Sequence, residues 1–396
     1  MPLIERFRSA SACIQIDAKP EFELFDSFSS SLKTNSLLKF YQDQEKENQC
    51  PEIEYFGKVP LKRNCAHGRE MEQLKLHTDT ISVEDMNDLI DLGWRREGNN
   101  FYKVATQCCT THALRLDVQE FKLSRQQRKI LNHLAEYFRG ETEQKNVKKP
   151  KNNKNSQEEY SLEAYFKRIF DSCNEHTLEI RLVRPGSSLF FDTYEESFQL
   201  FKKYQEHIHK NAYTREIFEN MLVETPLPTT GKHYGTFHRQ ILIDGRLVGV
   251  DMFDILPDYN MAQTSYYNTD FMHLNLGTFM ILNEILFTQK LSEKLGKTLY
   301  LSTGLYNHCF KKHHYKLQYA TEILCIETCT WIPLDKNIVQ KLEEEKQIMC
   351  QDSSSLKKPG IFSLSCLYKG KVYKFSRIYE KLVVRSHRRR LCSLIE

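Results

Sequence analysis

The feature of this sequence that most constrains its fold is a pair of short aliphatic runs separated by an Asp-Gly dipeptide. The runs are Ile241–Ile243 and Leu247–Val250, and the dipeptide is Asp244-Gly245. Asp-Gly is the strongest short-range turn signal, because both central residues of a type I′ turn need a positive φ. The segment from Tyr234 to Pro257 is therefore predicted to form a β-hairpin with a polar, proline-closed end.

Strand-like and helix-like segments alternate on both sides of this hairpin. Short aliphatic segments predict strands, and a long apolar run that stops at Gly296 predicts a helix. The expected elements are a strand at Leu178–Val183, a helix starting at Thr193, a strand at Gln263–Tyr267, a helix at Thr278–Leu295 and a strand at Thr298–Ser302. This alternation predicts an α/β or α+β domain over residues 160–337.

A smaller unit is predicted on the N-terminal side of that domain. Ser82 and Ser124 each have the spacing of a helix N-cap, and Gly93 follows the first helix as a stop. The expected organisation is a poorly ordered leader at 1–60, a small N-terminal domain at 61–140, a basic linker at 141–159, the main domain at 160–337 and a C-terminal extension with a basic tail at 338–396. The leader and linker are assigned from their polar or charged composition.

The composition limits the partners of the chain. No apolar run approaches the roughly 18 residues of a membrane-spanning helix, so no membrane partner is expected. The first residues lack the apolar core of a secretory signal, which predicts a cytoplasmic protein. The basic segment at 145–154 is a weak nuclear-import signal, so a nuclear location is also considered. The 12 cysteines are then expected to be mostly reduced thiols. A net charge of +4 permits an RNA partner without arguing for one, and no DNA partner is expected.

Cysteine and histidine residues recur in the N-terminal part. Cys65, Cys108 and Cys109, with His67, are of the types that bind Zn²⁺ or an iron–sulfur cluster. The competing interpretation is three thiols without a metal. Spacing alone favours this second interpretation, because the region contains no pair of cysteines separated by two residues.

Two adjacent arginines follow the first predicted helix. Arg95 and Arg96 come directly after Gly93-Trp94. Guanidinium groups pair bidentately with carboxylates and phosphates, so both residues are candidates for binding an anionic substrate group. The competing interpretation is a solvent-facing pair of charges after a helix.

Several motifs occur together at spacings that resemble one family. The N-terminal part contains Cys65-Ala-His-Gly68, Gly93-Trp-Arg-Arg-Glu-Gly98 and Gln107-Cys-Cys109. The later part contains Tyr234-Gly-Thr-Phe-His-Arg-Gln240, Tyr266-Tyr-Asn-Thr-Asp270 and Leu274-Asn-Leu-Gly277. Over residues 65–135 and 178–335 the sequence resembles the eukaryotic arginyl-tRNA–protein transferases, as a divergent member.

This resemblance implies an α+β fold, in which a small cysteine-containing N-terminal domain precedes a GNAT-like acyltransferase domain with a mixed sheet. It implies transfer of arginine from Arg-tRNA to the α-amino group of N-terminal Asp or Glu, which marks the acceptor protein for ubiquitin-dependent degradation. The implied partners are Arg-tRNA and acceptor proteins with such N-termini. No nucleotide cofactor is implied, because the ester on the tRNA 3′ end is already activated.

The matched motifs also supply candidate site residues. His238, Asp254 and Asp270 are expected to be catalytic: one of the aspartates would hold the guanidinium of the donor arginine, and His238 would relay a proton or donate a hydrogen bond. For His238 the competing interpretation is a strand histidine whose ring is satisfied by its neighbours. The expected substrate-binding residues are Tyr234, Tyr306, Tyr319, Arg95 and Arg96.

In the N-terminal part the chain departs from the family pattern at a cysteine. The resemblance implies four cysteine ligands for an iron–sulfur cluster or zinc, and Gly68 stands in place of one of them. Cys65, Cys108 and Cys109 remain, and His67 is an acceptable fourth ligand for zinc.

Further departures lie close to the expected site. Asn268 replaces an aspartate of the family pattern, Thr269 replaces a proline, and Ser302-Thr303 replaces a Tyr-Met pair. These changes leave an alternative function open. The chain would then be a non-catalytic homologue that binds charged tRNA or acidic protein N-termini.

Overall fold

The computed structural model describes residues 54–64, 68–104, 110–141, 161–228, 233–325, 329–345, 365–368 and 371–374. Most of the expected leader, nearly all of the basic linker and the basic tail lie outside the described residues. So do the four candidate metal ligands Cys65, His67, Cys108 and Cys109. No helix in the described ranges combines the length and apolar character needed to cross a membrane.

The strands in these ranges form two sheets. In chain order they are β1 (Glu54–Asn64), β2 (Glu70–His77), β3 (Arg95–Glu97), β4 (Asn100–Val104), β5 (His112–Asp117), β6 (Leu178–Val183), β7 (Gly235–Ile243), β8 (Arg246–Ile255), β9 (Tyr259–Tyr267), β10 (Tyr300–Tyr306), β11 (Glu322–Cys325), β12 (Thr330–Pro333), β13 (Ser365–Tyr368) and β14 (Lys371–Lys374). The six-stranded sheet has the order β14-β13-β1-β2-β4-β3. The eight-stranded sheet has the order β12-β11-β5-β10-β9-β8-β7-β6.

Helices cover the sheets and connect their strands. They are α1 (Val83–Asp91), α2 (Arg125–Phe138), α3 (Leu162–Asp171), α4 (Ser188–Asp192), α5 (Tyr194–Tyr204), α6 (Arg215–Phe218), α7 (Leu276–Leu295) and α8 (Lys336–Glu345). Two π-helical turns, Gln205–His209 and Glu219–Val223, extend α5 and α6. Two 3₁₀ helices cover Thr269–Leu274 and Lys311–Tyr319.

The hairpin predicted from Asp244-Gly245 is present as β7 and β8. Asp244 has a φ of 51° and Gly245 a φ of 74°, so both turn residues adopt the left-handed conformation that the dipeptide favours. All of β7 is buried, because helices cover both faces of the sheet. Ile241 and Ile243 pack with α2, α3 and α7, whereas Leu242 packs on the opposite side with residues of α4 to α6.

Local signals place most helix ends correctly. Ser82 caps α1, and Ser124 forms a full capping box with Gln127 at the start of α2. Thr193 precedes α5 without capping it, because its hydroxyl group donates a hydrogen bond to the carbonyl of Leu189 in the preceding helix.

The large sheet is mixed. α7 connects β9 to β10, and these two strands run parallel. The other neighbouring strands of this sheet are antiparallel. The predicted α+β fold with a mixed sheet is confirmed.

The segment 110–141 differs from the expected organisation. β5 lies between β10 and β11 in the large sheet, with Leu116 opposite Leu301 and Leu114 opposite Ile323. Leu131 of α2 belongs to the same core cluster as residues of α7. Residues 110–140, which are expected in the small N-terminal domain, therefore contribute a strand to the large sheet and a helix to its core.

The small sheet is joined to the large one by a common core. α1 packs Met86 and Leu89 against Leu76 of β2, and Trp94 is buried in the same cluster. Tyr259 of β9 also belongs to this cluster. β3, which follows α1 and carries the two adjacent arginines, is consequently fixed against the middle of the large sheet.

Candidate active site between two diverging strands

Two parallel strands separate in the middle of the large sheet. β9 and β10 are paired only as far as Met261 and Ser302, although β9 continues to Tyr267 and β10 to Tyr306. A β-bulge lies at this point of β10, where Gly304 has a φ of 83°. A bulge bends the strand that carries it. The diverging strands leave a gap in the sheet, and the polar residues around this gap form the candidate active site.

Arg95 reaches the gap from the small sheet. Its Nη2 donates a hydrogen bond to Ser302 Oγ over 3.1 Å, and its Nη1 donates to the carbonyl of Trp94 over 2.6 Å. Among the described residues its Nε has no hydrogen-bond partner and the guanidinium forms no ion pair. Burial lowers the pKa of Arg95 to about 10, so the group still carries its charge at neutral pH.

Lys316 lies on the other side of the bulge. Its Nζ donates hydrogen bonds of 3.0 Å to the carbonyls of Thr303 and Leu305. Burial lowers the pKa of Lys316, and together with the positive charges of Arg95 and Lys312 it brings this pKa to about 8. No carboxylate of the described residues lies within ion-pair distance of its amine.

Arg95 and Lys316 therefore form a cationic pair beside the gap. Burying two like charges without a counter-ion is unfavourable, and an anion bound between them relieves that cost. Thr303 adds a buried hydroxyl that has no hydrogen-bond partner within the described chain. The arrangement can bind a carboxylate or a phosphate group.

Arg96 points into the large sheet and is fully paired. Its Nε donates to Asp254 Oδ2 over 2.7 Å and its Nη2 to Asp254 Oδ1 over 2.5 Å. Thr236 Oγ1 and Gln263 Nε2 donate to the same carboxylate, over 2.8 and 2.6 Å. Both charged side chains are completely buried. The pair fixes β3 to the large sheet, and Asp254, one of the two aspartates expected to hold the donor guanidinium, is occupied by Arg96.

His238 lies on β7, on the same face as Asp254 and completely buried. Its Nε2 is 2.8 Å from the carbonyl oxygen of Leu222, so this nitrogen carries the hydrogen. Phe190 packs its ring edge-on against the imidazole. Burial lowers the pKa of His238 to about 4, so the ring is neutral at physiological pH. These contacts satisfy one ring nitrogen of His238, whereas its buried Nδ1 has no hydrogen-bond partner among the described residues.

Asp270 is exposed and lies apart from the Arg96–Asp254 pair. It forms a 2.7 Å ion pair with Lys203, whose Nζ also donates to Asn268 Oδ1 over 3.1 Å. Asn268 in turn accepts a hydrogen bond from the backbone N–H of Asp270. Asn268 and Asp270 of the Tyr-Tyr-Asn-Thr-Asp motif thus both accept hydrogen bonds from Lys203 at the surface.

The three candidate tyrosines occupy different surroundings. Tyr306 is fully buried, and its hydroxyl lies 2.7 Å from His308 Nδ1. Tyr319 is also buried and stacks on Phe121. Tyr234 is half-buried between two core clusters, and its carbonyl accepts a hydrogen bond from Arg184. The structure does not gather these three rings around the gap.

Sequence reasoning did not assign a role to Lys316 or to Ser302 beyond noting their segments. Their chemistry depends on the bulge of β10, which brings the backbone carbonyls toward a lysine from the following helix. The glycine at position 304 is the one local signal for such a bulge.

Two family models match the chain. The model described as "Arginine-tRNA-protein transferase, N terminus" matches residues 60–129. The model described as "Arginine-tRNA-protein transferase, C terminus" matches residues 196–325. Together they cover just over half of the chain and include both sides of the gap.

Curated relatives carry related names. Arginyl-tRNA--protein transferase 1 of Drosophila melanogaster is 26% identical over 74% of this chain and 84% of its own length. The Dictyostelium discoideum protein of the same name is 38% identical over 33% of this chain and 20% of its own length. An aspartate/glutamate leucyltransferase of Pseudomonas fluorescens is 27% identical over 72% of this chain and 97% of its own length.

Similarity to solved structures is weak. The C-terminal domain of a putative lysylphosphatidylglycerol synthetase from Agrobacterium fabrum aligns with a TM-score of 0.30 and 9% identity, over 66% of this chain and 68% of that one. No conclusion rests on that alignment. The two family models and the relatives agree on one assignment: this chain belongs to the arginyl-tRNA–protein transferase family.

Proposed function

We propose that this chain transfers arginine from Arg-tRNA to the α-amino group of an N-terminal Asp or Glu. The observation that carries the proposal is the cationic pair of Arg95 and Lys316 beside the gap, because it lacks a counter-ion within the described chain. The side-chain carboxylate of an acidic N-terminal residue supplies that counter-ion. Family membership supports the transfer chemistry.

The acceptor is recognised at the bulge of β10. Arg95 Nε has no hydrogen-bond partner among the described residues and Lys316 uses two of its three N–H groups, so in this proposal the remaining donors bind the carboxylate. Charge-assisted hydrogen bonds of this kind are about twice as strong as neutral ones. An N-terminal Asn or Ala offers no charge to this pair, so the site selects acidic acceptors.

The reaction needs positioning more than activation. The acceptor amine attacks the carbonyl carbon of the aminoacyl ester, a C–N bond forms, and the C–O bond to the tRNA ribose breaks. The proton released by the amine ends on the ribose oxygen. An α-amine has a pKa of roughly 7.7–8.0, so a substantial part is already neutral near pH 7.5. Holding the amine against the ester therefore supplies most of the acceleration.

We infer that the large sheet is of the GNAT-like acyltransferase type. The parallel pair β9 and β10, connected by α7 and diverging after Met261 and Ser302, supports this assignment. In this arrangement the Arg96–Asp254 pair acts as a positioning element, since it anchors the strand that carries Arg95.

Acceptor recognition is expected to depend on pH through Lys316. Its pKa in the folded chain is about 8, below the ordinary 10.5, so the amine loses its charge as the pH rises through 8. The preference for an Asp peptide over an otherwise identical Asn peptide should therefore fall between pH 7 and 9. The α-amine of each peptide is titrated separately and its neutral fraction is divided out of kcat/KM, because the Asp carboxylate raises the pKa of its own α-amine. Lys316→Arg, which stays charged, should retain the preference at pH 9; a parallel fall in that variant would contradict the assignment.

Asn268→Asp is expected to raise arginine transfer. Lys203 already pairs with Asp270, and a second carboxylate at 268 leaves one negative charge free for the donor guanidinium. Exposed ion pairs contribute about 0.2–1 kcal/mol, so kcat/KM for Arg-tRNA should rise by up to about fivefold. Asn268→Ala is the uncharged control. If Asn268→Asp does not raise kcat/KM for Arg-tRNA above the wild-type value, position 268 does not contribute to donor recognition.

We propose that Cys65, Cys108 and Cys109, with His67, hold zinc or an iron–sulfur cluster. β2 and β4 are antiparallel, with Gln73 opposite Val104, so the chain leaves the same end of the small sheet toward both cysteine segments. Thiolate and imidazole donors suit either group. Elemental analysis and an ultraviolet–visible spectrum of the anaerobically purified chain, compared with Cys108→Ala, distinguish zinc, cluster and no metal.

We also propose that arginylation by this chain directs acceptors to ubiquitin-dependent degradation in the cytoplasm and nucleus. The support is the family resemblance. The half-life of a reporter with N-terminal Asp, in cells with and without the chain, tests the proposal. An Ala reporter is the control, and fractionation of the same cells gives the compartment.

The decisive assay for the function follows labelled arginine from charged tRNA onto peptides that differ only in N-terminal Asp, Asn or Ala. It is run without oxygen so that a cluster, if bound, survives. Label on the Asp peptide alone supports the transferase. Measurable binding of Arg-tRNA with no label on any peptide would instead establish the non-catalytic alternative.

A further inference from the structure

The surface at the start of α2 is strongly basic. Its cations, which we call the α2 basic face, are Lys122, Arg125, Arg128 and Lys129. All of them are exposed except Arg128, which is half-buried. Helix residues three and four positions apart lie on one face, and the buried residues of α2 lie on the opposite face. Glu120 is the single carboxylate in residues 118–132, so these four cations dominate the charge of the segment.

The α2 basic face is not neutralised by the rest of the described chain. None of its four cations forms an ion pair with a described residue. Other exposed cations are paired: Lys203 binds Asp270, and Arg215 binds Glu195. Unpaired charges of one sign on one surface create a positive potential that attracts anionic partners.

The position of these cations opposes the helix dipole. The N-terminal end of a helix carries a partial positive charge, so acidic residues are favoured there. α1, α3 and α5 follow this preference, with Glu84, Glu163 and Glu195 in their first turns. The first turn of α2 contains no acidic residue and begins with Arg125. The stability of the helix therefore does not explain its cations, whereas binding of a polyanion does.

α2 spans the mouth of the gap, where the two diverging strands end. Phe121, just before α2, stacks on Tyr319 with ring centroids 6.5 Å apart, and Tyr319 ends the 3₁₀ helix that carries Lys316. At the far end of α2, the Tyr137 ring lies 6.3 Å from that of His273, in the 3₁₀ helix that follows β9. These two 3₁₀ helices follow β10 and β9 in the chain. The α2 basic face therefore lies beside the helix of Lys316.

We propose that the α2 basic face binds phosphates in the paired acceptor stem of the donor tRNA. The inference rests on the proposed function, which brings the aminoacylated 3′ end to the gap. The 3′ end is covalently continuous with the stem, so the stem leaves the gap across the surface at its mouth. Lysine and arginine bind backbone phosphates whatever the base sequence. The contact therefore positions the tRNA without selecting among its sequences.

The test measures how salt weakens the binding of uncharged tRNA to the full chain. Each phosphate contact to a duplex adds about 0.9 to the slope of log affinity against log salt concentration. The test variant combines Arg125→Gln with Lys129→Gln and removes two such contacts. Between roughly 50 and 200 mM KCl its affinity should therefore fall about tenfold less than that of the wild type. Fluorescence anisotropy of labelled tRNA gives both affinities.

Lys336→Gln combined with Lys341→Gln is the matched control. Both lysines are exposed on one helix, α8, and neither forms an ion pair with a described residue. The control lowers the net charge by the same amount, so it should keep the wild-type salt dependence. Thermal unfolding checks the fold of both variants. The test variant should be at least as stable as the wild type, because it removes cations from the positive end of a helix.

Transfer kinetics separate binding of the stem from the chemistry. The test variant should raise the KM for Arg-tRNA about tenfold or more near physiological salt. The kcat at saturating Arg-tRNA and the KM for the acceptor peptide should be unchanged, because the α2 basic face contacts neither reacting group in this proposal.

The outcomes separate this inference from the function on which it rests. If the test variant keeps the wild-type salt dependence, or if the control loses as much of it, the inference fails and the function stands. A raised KM for an acidic acceptor protein, with an unchanged KM for Arg-tRNA, would make the face a docking site for acceptors and would also overturn the inference. If the wild type neither binds tRNA nor transfers arginine, the proposed function fails with it. A reduced salt dependence and a raised KM for Arg-tRNA in the test variant alone establish the contact.

Discussion

Replacing Lys316 by methionine is expected to lower kcat/KM for an Asp-initiated peptide by about 10- to 100-fold. A hydrogen bond to a charged group contributes about 1.5–3 kcal/mol, and removing the amine also leaves Arg95 as the single cation at the site. The same variant should change kcat/KM for an Asn-initiated peptide far less, because that substrate offers no charge. Single-turnover transfer from labelled Arg-tRNA measures both values.

Two further variants control this result. Lys316→Arg retains the charge and donors for the carbonyls of Thr303 and Leu305, so it should keep most of the preference for Asp. Lys311→Met removes an exposed lysine from the same 3₁₀ helix and should be neutral. An equal loss with Asp and Asn peptides would mean that Lys316 only stabilises the bulge.

Asp254→Asn is expected to cost about 3–5 kcal/mol in the free energy of unfolding, the largest effect on stability expected from one substitution here. The side chains of Asp254 and Arg96 are both fully buried, and the change leaves the guanidinium charge unpaired inside the protein. Urea denaturation of the two proteins measures the difference.

Asp270→Asn is the matched control for that experiment. Its carboxylate pairs with Lys203 at the same 2.7 Å as the Arg96 Nε contact, but both partners are exposed, so the expected cost is below about 1 kcal/mol. Arg96→Met combined with Asp254→Leu should recover part of the loss, since it removes both charges. Equal costs for Asp254→Asn and Asp270→Asn would refute the structural role of the buried pair.

Local patterns in the sequence predict the hairpin, the capped helices and the long α7 because each depends on neighbouring residues. Asp244-Gly245 needs only its own backbone angles, and Ser124 needs only Gln127 three residues later. The mixed α+β sheet follows from the order of such elements. The family motifs also identify Arg95 as a candidate site residue, and its side chain reaches the gap.

The remaining features depend on contacts that no local pattern encodes. No strand is predicted at His112–Asp117, and the partners of β5 come from more than 180 residues later in the chain. The sequence predicts His238 as a catalytic residue, but it does not show that the ring is buried beside Phe190 and Leu222 and is neutral at physiological pH. The sequence does not distinguish Lys316 from the other lysines, because its position depends on the two carbonyls that the bulge of β10 places beside it.

The position of β5 has a consequence for synthesis on the ribosome. Arg115 pairs with Glu322 across a separation of 207 residues, and the partner strand β10 is also made late. At a translation rate of about 5–20 residues per second, about 10–40 s pass between the synthesis of β5 and the synthesis of β11. Until β10 emerges, both edges of β5 are open to pairing with another nascent chain, and one edge stays open until β11 emerges. Fragments that end before residue 300 keep both edges of β5 open, and fragments that end between residues 306 and 322 keep the edge that pairs with β11.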